Sequence, residues 1–176
     1  MKKVIVNFGL MLLAMLFLPG CSSNEEEEEL PGTVIPQVTC SSETVAFFET
    51  EWPVYSMPYP ETFFEEDLRG KENISLINSE EEFQSIYKGM LQLPEIDFSQ
   101  YTLVIGQKRI ETYIGKKSSA EFHKLELRDT PEGYHLYLCC NSYIADGAII
   151  YDETFYYYWA LYPKLDNKTI TVSLKY

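Results

Sequence analysis

The chain has 176 residues, with 27 acidic and 14 basic side chains and a formal net charge of −13 at pH 7. So acidic a balance disfavours nucleic acid, which is bound by clustered Lys and Arg, and electrostatic docking onto anionic lipid. Only two histidines and four cysteines occur, at spacings that match no zinc motif, so the sequence points to no metal and no cofactor.

Met1-Lys2-Lys3 precedes a mostly apolar run from Val4 to Leu18 that Pro19-Gly20 closes. A short positive start followed by such a run reads as a secretory signal peptide, and it falls short of the roughly 20 apolar residues that a membrane span requires. Residues 1–20 are expected to be removed. Leu18-Pro19-Gly20-Cys21 resembles a bacterial lipobox, which implies that Cys21 is lipidated on sulfur and becomes the new N-terminus. Each acyl chain contributes about 0.8 kcal/mol per buried methylene, so two or more chains hold a protein stably on a bilayer. Outer-membrane lipid is therefore the expected partner of Cys21. Glu25, Glu26, Glu27, Glu28 and Glu29 follow, and a block of like charges repels itself and stays solvated. Serine followed by acids just after the cysteine also resembles the surface-export signal of lipoproteins in one group of Gram-negative bacteria. That implies an outer-membrane protein facing the cell exterior, with the periplasmic face as the alternative. The tether is expected over residues 21–40 and a single globular domain over residues 41–176, a common size.

Thr44–Phe48 (TVAFF) and Asn73–Ile77 (NISLI) are short β-branched and aromatic runs that predict strands, with a loop-like segment carrying Pro53, Pro58 and Pro60 between them. The period then changes. Ser79 and Glu82 match a capping box, and Phe83, Ile86, Tyr87 and Met90 fall on one helical face, which predicts a helix over residues 79–91. Beyond Pro94 strand chemistry returns at Tyr101–Gly106, Arg109–Gly115, Glu121–Arg128, Gly133–Cys140, Glu153–Tyr162 and Lys168–Tyr176. Turn residues such as Asp129-Thr130-Pro131-Glu132-Gly133 and Asp146-Gly147 separate several of these runs, and short connections make neighbouring strands antiparallel. In the last run Ile170, Val172 and Leu174 share one face, with Thr171, Ser173 and Lys175 on a wet face. The expected fold is α+β, a predominantly antiparallel sheet with one packed helix.

The stretch LINSEEEFQSIYKGMLQLPEIDFSQYTLVIGQK (Leu76–Lys108), followed by a strand meander and YYYWALYPK (Tyr156–Lys164), resembles the C-terminal domain of PrcB-type lipoproteins, accessory components of a surface protease complex. The resemblance covers roughly residues 74–174. It rests on the helix, on IDFSQYTLVI leading into a strand, and on a late aromatic strand ending in Pro163-Lys164. It implies a non-enzymatic accessory or binding role beside a protein partner, and no catalytic residues.

The residues themselves offer no catalytic constellation. There is no Gly-x-Ser-x-Gly elbow, no His-Glu-x-x-His and no phosphate-cradling glycine loop. His123 and His135 fall in the two strands of a predicted hairpin, and pairing Leu127 with Tyr134 puts them on opposite faces. Slipping that register by one residue leaves them four strand positions apart, roughly 13 Å. Neither arrangement makes a two-histidine metal site or a relay. Asp97, Asp146, Asp152 and Glu153 are glycosidase carboxylates only by default, since such a pair must lie about 5–10 Å apart and sequence fixes no such distance.

With Cys21 assigned to lipid, Cys40, Cys139 and Cys140 remain, in an exported and oxidising setting. Cys40 bridged to Cys139 or Cys140 would close a loop of about 100 residues and stabilise by about 4–5 kcal/mol in the chain-entropy model. Unbridged, the three are ordinary small buried hydrophobes. Strand neighbours point to opposite faces, so Cys139 and Cys140 do not bond to each other. In the late strand Phe155, Tyr157, Trp159 and Leu161 alternate with Tyr156, Tyr158, Ala160 and Tyr162. One set is expected in the core. The other is either covered by the aromatic segment Trp52–Phe64 or exposed as a platform. In the second case Tyr156, Tyr158 and Tyr162 would contact a partner protein or, in the alternative of a surface carbohydrate-binding lipoprotein, a glycan.

Overall fold

Seven strands and two α-helices make up the described part of the chain, residues 30–54, 60–68, 70–110, 117–145 and 154–175 of a computed structural model. In order they are β1 (Thr33–Ile35), α1 (Ser42–Glu51), β2 (Asn73–Ile77), α2 (Glu80–Ile86), β3 (Tyr101–Ile110), β4 (Lys117–Thr130), β5 (Gly133–Ala145), β6 (Thr154–Pro163) and β7 (Ile170–Lys175). The α+β, mainly antiparallel character holds, but the strands divide between two sheets: β1-β4-β5-β7 and β2-β3-β6. Among the described residues no helix is long and apolar enough to cross a membrane.

The three-stranded sheet is buried on both faces. On one side Val104, Tyr156, Tyr158, Ala160 and Tyr162 meet Leu125, Leu127, Leu136 and Leu138 of the four-stranded sheet. On the other, Leu103, Ile105, Phe155 and Tyr157 meet Phe47, Phe48, Trp52, Phe63 and Phe83 from the helices and the loop between them. The layers thus run helices, three-stranded sheet, four-stranded sheet. Alternation along β3 and β6 distributes each strand between two cores.

Thr44–Phe48 is helical rather than a strand. Ser41 caps α1, its Oγ accepting from the Thr44 N–H at 3.1 Å, and Thr44, Phe47, Phe48 and Glu51 form a buried stripe at helical spacing. Tertiary burial of that stripe overrides the strand preference of Thr, Val and Phe. The capping box of α2 is present in altered form: Glu82 N–H donates to Ser79 Oγ at 3.1 Å, while the Glu82 carboxylate accepts from the Asn78 N–H. The helix stops at Ile86, short of the expected residue 91, because Tyr87 turns extended and Lys88 N–H bonds the Thr62 carbonyl. Met90 consequently leaves the helical face and is fully exposed.

Folding begins earlier than the expected boundary at residue 41. β1 pairs with β4 from Thr33↔Asp129 to Ile35↔Leu127, and Val38 N–H bonds the Leu161 carbonyl of β6 at 2.8 Å. Residues 33–38 therefore bridge the two sheets instead of extending a tether. Arg109 and Ile110 close β3 rather than opening a new strand, and residues 111–116 lie outside the described residues.

The β4–β5 hairpin turns on Pro131-Glu132, with Thr130↔Gly133 as its first rung and Gly133 at φ 135°. Leu127 then faces Leu136, two positions from the register expected on sequence, and a bulge falls between Phe122 and Lys124. β7 lies parallel to β5, from Tyr134↔Ile170 to Cys139↔Lys175. The short connection after β6 does not make an antiparallel pair here, because it carries the chain from one sheet to the other.

Candidate functional site: the aromatic strand, the outer sheet face and the edge groove

The candidate platform is buried. Tyr156, Tyr158 and Tyr162 are no more than 2 % exposed and face the four-stranded sheet, so no partner or glycan can stack on them. Trp52, from the segment expected there, and α1 cover the opposite set: Trp52 meets Tyr157 edge-on at 4.8 Å between ring centroids, and Phe48 of α1 stacks on Trp159 at 4.1 Å. Sequence alternation separated the two faces correctly but could not reveal a second sheet. Burial also pushes the Tyr158 and Tyr162 phenols far above their ordinary pKa.

The outer face of the four-stranded sheet carries the polar chemistry. Glu126 accepts from both Lys124 and Arg128 at 2.7 Å, and these bonds hold its carboxyl below the usual range, the hydrogen bond from Lys124 contributing most. On β5 the His135 ring stacks on Tyr137 at 4.2 Å, and β7 supplies a hydroxyl to each ring nitrogen. Ser173 Oγ lies 2.5 Å from Nε2 and Thr171 Oγ1 3.1 Å from Nδ1. Because Thr171 Oγ1 donates to the Tyr134 carbonyl, it accepts from Nδ1–H, which leaves Nε2 to accept from Ser173. Burial lowers the His135 pKa, so this neutral tautomer holds at pH 7. His123 is elsewhere, exposed in the β4 bulge; the two histidines make no common site. The alternation Thr171-Lys175 was legible in sequence, but the pairing with His135 needed the parallel β5–β7 register.

A groove of about 410 Å³ opens between the edges of β4 and β6. Val38, Val45, Val54, Phe122 and Leu161 give it apolar walls, with Gln37, His123 and Lys124 at its polar margin. It lies in the size range of ligand clefts. No local pattern pointed to it, since its walls come from five separate stretches of the chain.

Cys40, Cys139 and Cys140 are free thiols. Cys140 points into the core between the sheets, where burial pushes its pKa up to about 11, and burial raises Cys40 and Cys139 as well. Thiols held protonated in this way are poor nucleophiles. Asp97 is exposed at the start of a turn, accepting from Ser99 and Gln100, and Asp146, Asp152 and Glu153 lie outside the described residues, as do Cys21 and Glu25–Glu29. Among the described residues no three His, Cys, Asp or Glu side chains converge to hold a metal. No protein-family model, curated protein or solved structure matches the chain.

Proposed function

We propose that this protein is a lipid-anchored cell-envelope protein, a non-enzymatic binding or accessory module for a protein partner, held at the outer membrane through Cys21 and facing the cell exterior. The observation that carries the reading is the position of Cys21, at the foot of an apolar run and just ahead of five glutamates. In the sequence, five glutamates separate that cysteine from the first described strand, Thr33–Ile35. The resemblance of Leu76–Lys108 and Tyr156–Lys164 to PrcB-type lipoproteins makes a protease complex the partner to look for. The glycan alternative rested on exposed Tyr156, Tyr158 and Tyr162, and their burial removes that support.

Metabolic labelling of cells with a fatty-acid analogue tests the anchor. Wild type takes the label and Cys21→Ala does not; label on the variant would refute it. Cross-linking on intact cells followed by mass spectrometry tests the role, with a protease recovered beside the wild type as the expected result and bound polysaccharide as the result against it.

A further inference from the structure

We propose that the edge of β4 beside the groove is a strand-addition site, which takes an extended peptide segment of a partner protein as a further strand of the four-stranded sheet. The inference deepens the binding-module reading and rests on it.

The β1–β4 ladder ends at Ile35↔Leu127, although β4 runs back to Lys117. The next residue, Pro36, has no N–H to continue the ladder. In the same register Gln37 stands opposite Leu125, yet only its side-chain amide bonds the Leu125 carbonyl, at 2.9 Å. The backbone has by then crossed to β6, where Val38 N–H bonds the Leu161 carbonyl. Among the described residues, then, no backbone continues the track of β1 along β4 beyond Ile35.

The opposite wall of the groove is also a strand edge. Tyr157 N–H bonds Val54 and the Leu161 carbonyl accepts from Val38, so the residue between them, Trp159, turns its own amide and carbonyl the same way. Among the described residues no backbone group bonds them. Two facing edges with amide and carbonyl groups at strand spacing are complementary to polypeptide backbone, and the chemistry of the edge selects a peptide occupant. Alternate side chains of that peptide would enter the apolar groove. The bulge between Phe122 and Lys124 and the exposed Lys124 are devices that discourage indiscriminate edge pairing. Lys124 bonds Glu126 at 2.7 Å but keeps 56 % of its side chain exposed, so it favours a segment that brings a second acidic residue opposite it.

The test uses the full lipidated chain in detergent and a phage library of random dodecapeptides. Enriched peptides should alternate apolar residues, carry an acid, and slow amide hydrogen exchange at Leu125 and Trp159 about tenfold or more. Val45→Glu, which puts a charge into the groove from α1, should weaken binding about tenfold or more. Lys124→Glu, at an exposed position, should leave the fold intact and shift the selected residue from acidic to basic. Failure to enrich any peptide, or protection appearing on β2 or β7 instead, would overturn the proposal. So would a Leu125 amide already protected without peptide: independent of protein concentration, it means the chain covers its own edge, and rising with concentration, it means a second copy does. The fatty-acid label and the cellular cross-links do not report on this edge, so either reading can fail alone.

Discussion

Tyr158 Oη donates to the carbonyl oxygen of Asn73 at 3.2 Å, over a glycine. A Cβ on Gly106 would fall inside contact distance of both atoms, so the approach of β6 to the start of β2 depends on the missing side chain. Gly106→Ala is expected to cost about 1–3 kcal/mol through overpacking. Tyr158→Phe alone should cost about 0.5–1.5 kcal/mol for the lost hydrogen bond. In the double variant the phenylalanine removes the hydroxyl, the nearest of three close contacts, and leaves the ring carbon Cζ and the Asn73 oxygen, so the costs should sum to somewhat less than the two singles. Strict additivity in a denaturant double-mutant cycle would show that the glycine and the hydroxyl do not share this space.

Burial of both faces of β6 sets a second expectation. Tyr158→Ala should destabilise by about 3–5 kcal/mol, since it leaves a large cavity, and by more than Trp159→Ala, whose ring is only partly buried. A Tyr158→Ala cost below about 0.5 kcal/mol, the usual surface value, would contradict the packing of this face against the four-stranded sheet.

Loss of the Ser41 cap offers a local test of α1. Ser41→Ala should cost about 1 kcal/mol, and Ser41→Asp should recover most of it. An unchanged melting temperature in Ser41→Ala would indicate that Thr44–Phe48 is held by packing alone.

Alkaline pH should erode stability. The Cys140 thiol, pushed from 9.0 to about 11 in the folded state, keeps a proton that the unfolded chain releases. Its contribution is complete below pH 9.0 and declines as pH rises towards about 11. Tyr158 and Tyr162, both raised by burial, extend the loss to higher pH. At the acid end Glu126, lowered chiefly by its bond from Lys124, contributes above 4.5 and loses that contribution as pH falls. A melting temperature followed across the alkaline range should fall in wild type and fall less in Cys140→Ala. Identical profiles would assign the alkaline loss to the phenols.

What the sequence made legible was local. NISLI, the α2 cap and the two faces of β6 follow from residue type and alternation within a few positions. The stripe that makes α1 helical was hidden because two of its four positions hold Thr44 and Glu51, which break the apolar periodicity. The β4–β5 register slipped by two because only the Thr130↔Gly133 rung defines where the turn lies. The groove was out of reach, since Gln37, Val45, Val54 and Leu125 meet only once two sheets have formed. The His135–Ser173 contact depends on a parallel pairing that no short-range rule predicts.

That parallel pairing also imposes an order of assembly. β5 finds β4 across a two-residue turn as soon as both have emerged, but its other side must wait for β7, the last of the described strands. A chain in which β6 has formed but β7 has not still carries an open β5 edge, its backbone lacking the β7 ladder from Tyr134 to Cys139. The state most prone to self-association is therefore the one in which β7 has not yet docked, and losing the six residues of β7 would make that state permanent.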